Sequence, residues 1–319
     1  MNNPINFDEK SFEYKAINFV QRAVIRALQL NDNYFEKNEA GGPSHVGTAD
    51  MVNSTMAKAL FEDDADLLII EEELIPFHSW TEQKTVVFVD PIDGSAELGS
   101  GGSQFAAAVT KYDTAGRPSF AAVACPSLRP VFRSISGGFQ GFGSSMGAII
   151  FGGLQGVFLL PLFSSQALIP IRLPSPHPVF PAEGSYTSIN LDLNLPGMCG
   201  LGKHIPNIST ALSRMIFSNI FSQCQVILGQ ANAATLGPSV SVAPNIKSGN
   251  GISGPKAWDL VLPILLGVGL EVQTLEHKKI STMTPKYCLD SFVLHDRIII
   301  AHKETIDDYC SDLKNLCSI

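Results

Sequence analysis

Ten residues, Val86-Val87-Phe88-Val89-Asp90-Pro91-Ile92-Asp93-Gly94-Ser95, constrain this chain more than any other stretch. The apolar run, mostly valine, reads as a buried strand. It breaks abruptly into two carboxylates, a proline and a glycine, which ends the strand and sets Asp90 and Asp93 at its C-terminal edge. Carboxylates at i and i+3 around a proline-fixed bend can turn toward one point, where like charges repel unless a cation lies between them. Mg²⁺ suits such a place, because this hard ion takes one or two carboxylates together with water and phosphate oxygens. The Gly94-Ser95 step can offer backbone N–H groups and a hydroxyl to an anion held there. Alone, Asp-x-x-Asp-Gly also describes an ordinary turn with solvated carboxylates. The rest of the chain decides between the two.

With 319 residues, 45% hydrophobic and 16% charged, the chain can bury a large core as one domain or two closely packed ones. A net charge of −8 without a Lys/Arg cluster argues against a nucleic-acid polymer as partner. It leaves room for a small anionic substrate, since a bound metal inverts the local field. Met1 to Phe7 lacks the basic and apolar regions of a secretory signal. The apolar stretch Ala148 to Leu160 is cut by Gly152, Gly153 and Gly156 and is too short to span a bilayer. Cys125, Cys199, Cys224, Cys288, Cys310 and Cys317 are scattered with no C-x-x-C pair. They read as reduced thiols of a cytoplasmic protein with no zinc site and no membrane partner.

Phe12, Ala16, Phe19, Ala23, Ala27 and Leu30 fall at helical spacing and predict an amphipathic opening helix. A second helix is expected from Asp50 to Phe61, with Met51, Thr55 and Leu60 inward. Leu67 to Ile70 reads as a short strand running into Glu71-Glu72-Glu73, and Thr85 to Val89 as the next. Phe105 to Tyr112 and Phe120 to Ala124 flank a hairpin turn at 113–116, and short strands follow near 131–135, 149–151 and 157–160. Residues 173–206, rich in Pro, Gly and Ser, read as irregular connection. A helix is expected near 208–228, a helix-like run from Trp258 to Leu270, a last strand at 297–301 and a closing helix at 305–316. This order suggests layered α/β or α+β architecture with mixed sheets. It divides into an N-terminal half, 1–172, with the main metal site, and a C-terminal half, 173–319, that contributes Asp259, together one compact unit.

Three acidic features sit at element ends: Glu71 to Glu73, Asp90 with Asp93, and Asp259. Each has a plainer reading. The glutamates can be a solvated charge run, and Asp50 and Asp259 can be helix caps. Taken together, Ile70-Glu71-Glu72-Glu73, Asp90-Pro91-Ile92-Asp93-Gly94-Ser95, Trp258-Asp259, Thr48-Ala49-Asp50 and Gly137-Gly138-Phe139 resemble the inositol monophosphatase superfamily over nearly the whole chain. The resemblance implies a five-layer αβαβα sandwich and a Mg²⁺-dependent, lithium-sensitive phosphomonoesterase using two or three ions. Carried over, it makes Glu72, Asp90, Asp93, the Ile92 carbonyl and Asp259 metal ligands. Asp93, Gly94 and Ser95 would hold the phosphate, and Ser95 with Glu72 or Asp50 would orient the attacking water.

The chain departs from the family pattern at Glu71, where glycine is usual, at Ser95, where threonine is usual, and in Leu260-Val261-Leu262-Pro263. Gly101 to Ala106 and Ala124 to Leu128 look most like the 3′(2′),5′-bisphosphate nucleotidases, which implies adenosine 3′,5′-bisphosphate as substrate. The 208–228 stretch lacks a Ser-x-x-Lys pattern to hold a second phosphate, and no basic residue stands just before Ala243. Lys256 is the substitute. An inositol 1-phosphate substrate and a catalytically inactive ligand-binding homologue are the alternatives. The expected partner is thus a small phosphorylated molecule, and the protein is expected as a monomer or homodimer.

Overall fold

The computed structural model describes residues 8–30, 34–39, 42–72, 84–134, 138–143, 145–164, 169–175, 187–191, 211–215, 218–237, 256–287, 294 and 296–317. The expectations for Glu73, Gly137, the residue before Ala243 and most of 173–206 fall outside them. The chain opens with α1 (Phe12–Gln29), the hairpin β1 (Tyr34–Glu39) and β2 (Gly42–Gly47), then α2 (Thr48–Phe61), β3 (Leu67–Glu71), β4 (Thr85–Asp93) and α3 (Ser95–Gly99). The strand-rich middle is β5 (Ala106–Tyr112), β6 (Pro118–Cys125), β7 (Val131–Arg133), β8 (Phe139–Gly141), β9 (Ala148–Gly153), β10 (Gly156–Pro161) and β11 (Ile171–Arg172). Then come β12 (Thr187–Leu191), β13 (Ala211–Met215), α4 (Asn219–Ile227), β14 (Ala233–Leu236), α5 (Leu262–Gly267), β15 (Leu270–Thr274), β16 (Ile298–His302) and α6 (Ile306–Cys317).

Two sheets organise these elements. One runs β11-β10-β9-β6-β5-β4-β3 and the other β13-β12-β14-β16-β15. Each is mixed: β3 lies parallel to β4 in the first, and β12 lies parallel to both β13 and β14 in the second. α1 and α2 cover the outer face of the first sheet, α4 and α5 lie between the sheets, and α6 packs on β15 and β16. The result is the expected αβαβα layering, with two apolar layers on either side of the seven-stranded sheet. Val86 and Phe88 enter the layer shared with α4 and α5, while Val87 and Val89 enter the one under α1 and α2. Ala106 and Ala108 divide from Ala107 and Val109 in the same way. A strand buried on both faces has no polar position to alternate with, hence the unbroken apolar run that marks β4 in the sequence.

α1 follows its expected stripe. Ser11 caps it by accepting from the Tyr14 N–H at 3.2 Å, and Ala16, Phe19, Val20, Ala23, Val24 and Ala27 are buried. α2 differs from expectation. Met51 and Thr55 face solvent, and the inward set is Ala49, Asp50, Asn53, Ser54, Ala57 and Phe61. The helix turns its small and polar side inward because that side bonds to its neighbours: Asn53 donates to the Ala23 carbonyl of α1, Ser54 to Glu71 of β3, and Asp50 accepts from Ser95. α5 is a short six-residue helix rather than a run to residue 270. Leu260 and Val261 lie between a 3₁₀ turn at Ala257–Asp259 and α5, and the segment after Gly269 is strand β15. The expected 208–228 helix is likewise split into β13 and α4. No helix among the described residues is long and apolar enough to cross a membrane.

Candidate metal centre

β4 does not end where its composition changes. It continues through Asp90-Pro91-Ile92-Asp93, and its pairing with β5 slips between Asp90, opposite Ala108, and Asp93, opposite Ala106. A proline has no N–H for the ladder, so it sits at such an irregularity. The slip takes the place of the expected turn and delivers both aspartates to the sheet end. Gly94 then turns the chain at φ +93°, a conformation that favours glycine, and a Cβ there would lie 3.1 Å from the Ser218 Cβ.

Three carboxylates converge on this end. Asp90, Asp93 and Asp259 each offer an oxygen within 4.8 Å of the others, and all three are buried. Donors fix them from the outside. Asp93 Oδ2 accepts from Ser218 Oγ at 2.7 Å and the Ile220 N–H at 2.5 Å. Asp259 Oδ2 accepts from Asn219 Nδ2 and from the Lys256 N–H, both at 3.0 Å. Asp90 Oδ1, fully enclosed, accepts no hydrogen bond among the described residues. A buried carboxylate oxygen without a donor is costly. Beside two more carboxylates it is the arrangement a hard divalent cation would satisfy.

The electrostatics agree. Burial pushes the Asp90 carboxyl well above the ordinary range, reinforced by the charges of Glu72, Asp93, Asp259 and Asp50. Asp93 is pushed up to about 7 by burial and by the Asp259 charge, against the opposing pull of the Ser218 and Ile220 donors. Burial also raises Asp259, opposed first by the Lys256 N–H. The group holds protons tightly when nothing else neutralises it.

Glu72 stands beside this trio rather than in it. Its Oε1 lies 3.6 Å from Lys256 Nζ, with both side chains about four-fifths buried (20% and 18% exposed). The Lys256 ammonium also sits 5.2 Å from the Trp258 ring centre. Glu71 is buried, not solvated, and accepts from Ser54 Oγ of α2 at 2.5 Å. On the same face of α2, Asp50 Oδ2 accepts from the Gly47 N–H at 2.7 Å, so the N-cap is Gly47 and Asp50, the third helical residue, reaches back to it. Its Oδ1 lies 3.2 Å from Ser95 Oγ, which can instead donate to the Ile92 carbonyl at 3.0 Å. Asp259 likewise combines a capping bond with a place in the cluster.

The sequence reading missed Ser218, Asn219 and Gln223. Ser218 caps α4 by accepting from the Phe221 N–H at 3.0 Å. Gln223, fully buried, donates to the Asp259 carbonyl at 2.6 Å and accepts from the Val261 N–H at 3.1 Å. A serine followed by an apolar run was a helix-start signal at 218. Reading one helix from 208 hid it.

A layered αβαβα protein with a buried three-aspartate centre at a sheet end is thus defined, and comparison with solved structures places the fold. The IMPase of Thermotoga maritima superposes with a TM-score of 0.61 at 14% identity, covering 95% of this chain and 96% of that one. The extragenic suppressor protein SuhB of Bartonella henselae gives 0.57 at 14% identity over 94% and 96%. Staphylococcal IMPase-II gives 0.55 at 16% identity over 94% and 96%, and has been seen with inositol monophosphate bound and with 2′-AMP bound. No family model matches the sequence, and no curated protein matches it. The chain has the inositol monophosphatase fold over almost its whole length.

Proposed function

We propose that this protein is a divalent-cation-dependent phosphomonoesterase acting on a small phosphate ester. The observation that carries the reading is the buried meeting of Asp90, Asp93 and Asp259, with the Asp90 Oδ1 lacking a donor among the described residues. Asp90, Asp93 and Asp259, with Glu72 and the Ile92 carbonyl beside them, would hold Mg²⁺ in two or three positions. Bound there, Mg²⁺ would neutralise phosphate oxygens and lower the pKa of a bound water.

The chain's own groups supply the rest. The Gly94 and Ser95 N–H groups begin α3 beside Asp93 and would hold phosphate oxygens. The Ser95 hydroxyl, within 3.2 Å of Asp50, would orient a water for in-line attack, with Asp50 fixing the hydroxyl. Of the two partners considered for Ser95, this contact favours Asp50 over Glu72. Lys256, whose ammonium lies 3.6 Å from Glu72 beside the acidic group, would meet a second anionic group on the substrate.

Adenosine 3′,5′-bisphosphate is our first choice of substrate, giving AMP and phosphate. Its support is the likeness of the 101–106 and 124–128 segments to bisphosphate nucleotidases and the Lys256 ammonium beside the acidic group. Inositol 1-phosphate is the second choice, supported by the ligand seen in the staphylococcal protein. The test is phosphate release from a panel of phosphomonoesters with and without Mg²⁺. Faster turnover of adenosine 3′,5′-bisphosphate than of inositol 1-phosphate supports the first choice, and the reverse order selects the second. Cation-dependent stabilisation without turnover of any ester would identify a ligand-binding homologue.

A further inference from the structure

Two amides one helical turn apart on α4, Asn219 and Gln223, grip a single residue of the acidic centre. At i and i+4 they share a helix face, and that face meets the segment from Lys256 to Val261. Gln223 holds the backbone, through the Asp259 carbonyl and the Val261 N–H, and its amide also donates to the Asn219 carbonyl at 3.1 Å. Asn219 holds the side chain, donating from Nδ2 to Asp259 Oδ2 at 3.0 Å. That oxygen also takes the Lys256 N–H, so both donors act on one oxygen and leave the other as the natural ligand atom. Asp93 is arranged in the same manner, with Ser218 Oγ and the Ile220 N–H on its Oδ2. Three consecutive residues at the start of α4 thus brace two carboxylates from different parts of the chain.

We propose that Asn219 is a positioning residue for Asp259: its neutral amide fixes the carboxylate's orientation toward Asp90 and Asp93 and thereby sets the affinity of the centre for a divalent cation. The inference rests on the reading of the centre as cation-binding. An amide suits the task better than a lysine or arginine, because it orients the carboxylate without adding a charge that would repel the cation. Hydrogen bonds of this kind behind a metal ligand typically govern affinity by about 10- to 100-fold.

The test measures Mg²⁺ binding to the full chain by calorimetry, alongside urea midpoints in EDTA. Asn219→Ala is expected to weaken Mg²⁺ binding by about tenfold or more while its midpoint in EDTA stays at the wild-type value. Asn219→Leu, which keeps the bulk and loses the donor, should behave alike and serves if the alanine variant folds poorly. Gln223→Ala, which frees the backbone, should lower the midpoint in EDTA. Wild-type affinity in both Asn219 variants would overturn the inference and leave the proposed function standing. A fall in affinity matched by a fall in the EDTA midpoint would also overturn it, by making Asn219 merely structural. A wild-type protein that binds no Mg²⁺ would remove both the inference and the proposed function.

Discussion

Asp93 accepts hydrogen bonds from Ser218 and Ile220 on one oxygen and has an oxygen within 4.8 Å of both Asp90 and Asp259, and its behaviour without metal follows from that. In the unfolded chain an aspartate titrates near ~3.9, whereas burial and the Asp259 charge lift the folded Asp93 to about 7. The folded state therefore keeps a proton that the unfolded state has released. Stability from this group is complete below the unfolded value and is lost as pH rises through the folded one. Asp90, raised well above its ordinary value, works in the same direction. In EDTA the protein should melt at a lower temperature at pH 8 than at pH 5.5, and Asp93→Asn should reduce the difference. A flat profile in EDTA would contradict the stacked, unneutralised carboxylates. Activity runs the other way. Asp90→Asn or Asp93→Asn should lower Mg²⁺-dependent phosphate release by about 100-fold or more, since losing a ligand exceeds the effect of losing a group behind one. Both variants should fold, because asparagine fills the same space without charge, and near-normal rates in either would remove the assignment.

Close approach between elements is where single substitutions should act on stability. A Cβ on Gly267 at the end of α5 would stand 2.3 Å from the Gly153 carbonyl of β9, so helix and strand backbones touch there. Gly267→Ala should destabilise by about 1–3 kcal/mol, the range for overpacking a filled interior, read as a lower urea midpoint with an unchanged slope. Ser218→Ala removes the α4 cap, worth about 1 kcal/mol, together with the donor to Asp93. It should therefore lower Mg²⁺ affinity as well as stability, which the Gly267 variant should not do. These elements also show what the sequence disclosed and what it hid. The β4 run was legible because both its faces are buried, and α1 because its stripe is regular. The two aspartates were placed correctly while their local structure was not: the motif reads as a turn, yet strand pairing resumes at Asp93 opposite Ala106. β14 and β15 were hidden because Ala233–Leu236 and Leu270–Thr274 carry mixed residues whose burial comes from the layers around them, not from any period. Lys256 beside Glu72, and Asn219 on Asp259, depend on contacts between distant segments and leave no mark in local spacing.

At the scale of the whole molecule, the acidic centre lies on the seam between the layers. Asp90 and Asp93 end a strand of the seven-stranded sheet, while Asp259 precedes α5, which packs between that sheet and the second one. Tyr112 of β5 reinforces the seam by donating its buried hydroxyl to the Leu260 carbonyl at 3.2 Å. A cation shared by these three carboxylates would add a further link to parts of the chain that meet through apolar packing and through hydrogen bonds such as Tyr112 to Leu260 and Ser218 to Asp93. Binding only to the folded form adds stability by mass action, about 2.7 kcal/mol when free ligand is a hundredfold above its dissociation constant. Mg²⁺ should therefore raise the urea midpoint, and EDTA should reverse the rise. Because the site spans the seam, far-ultraviolet circular dichroism and tryptophan fluorescence, which includes the buried Trp258, should shift together. Asp259→Asn should abolish the shift in both signals while leaving one cooperative transition. A cation that moved the fluorescence midpoint alone would bind to one layer without joining the two, and the site as built here would be wrong.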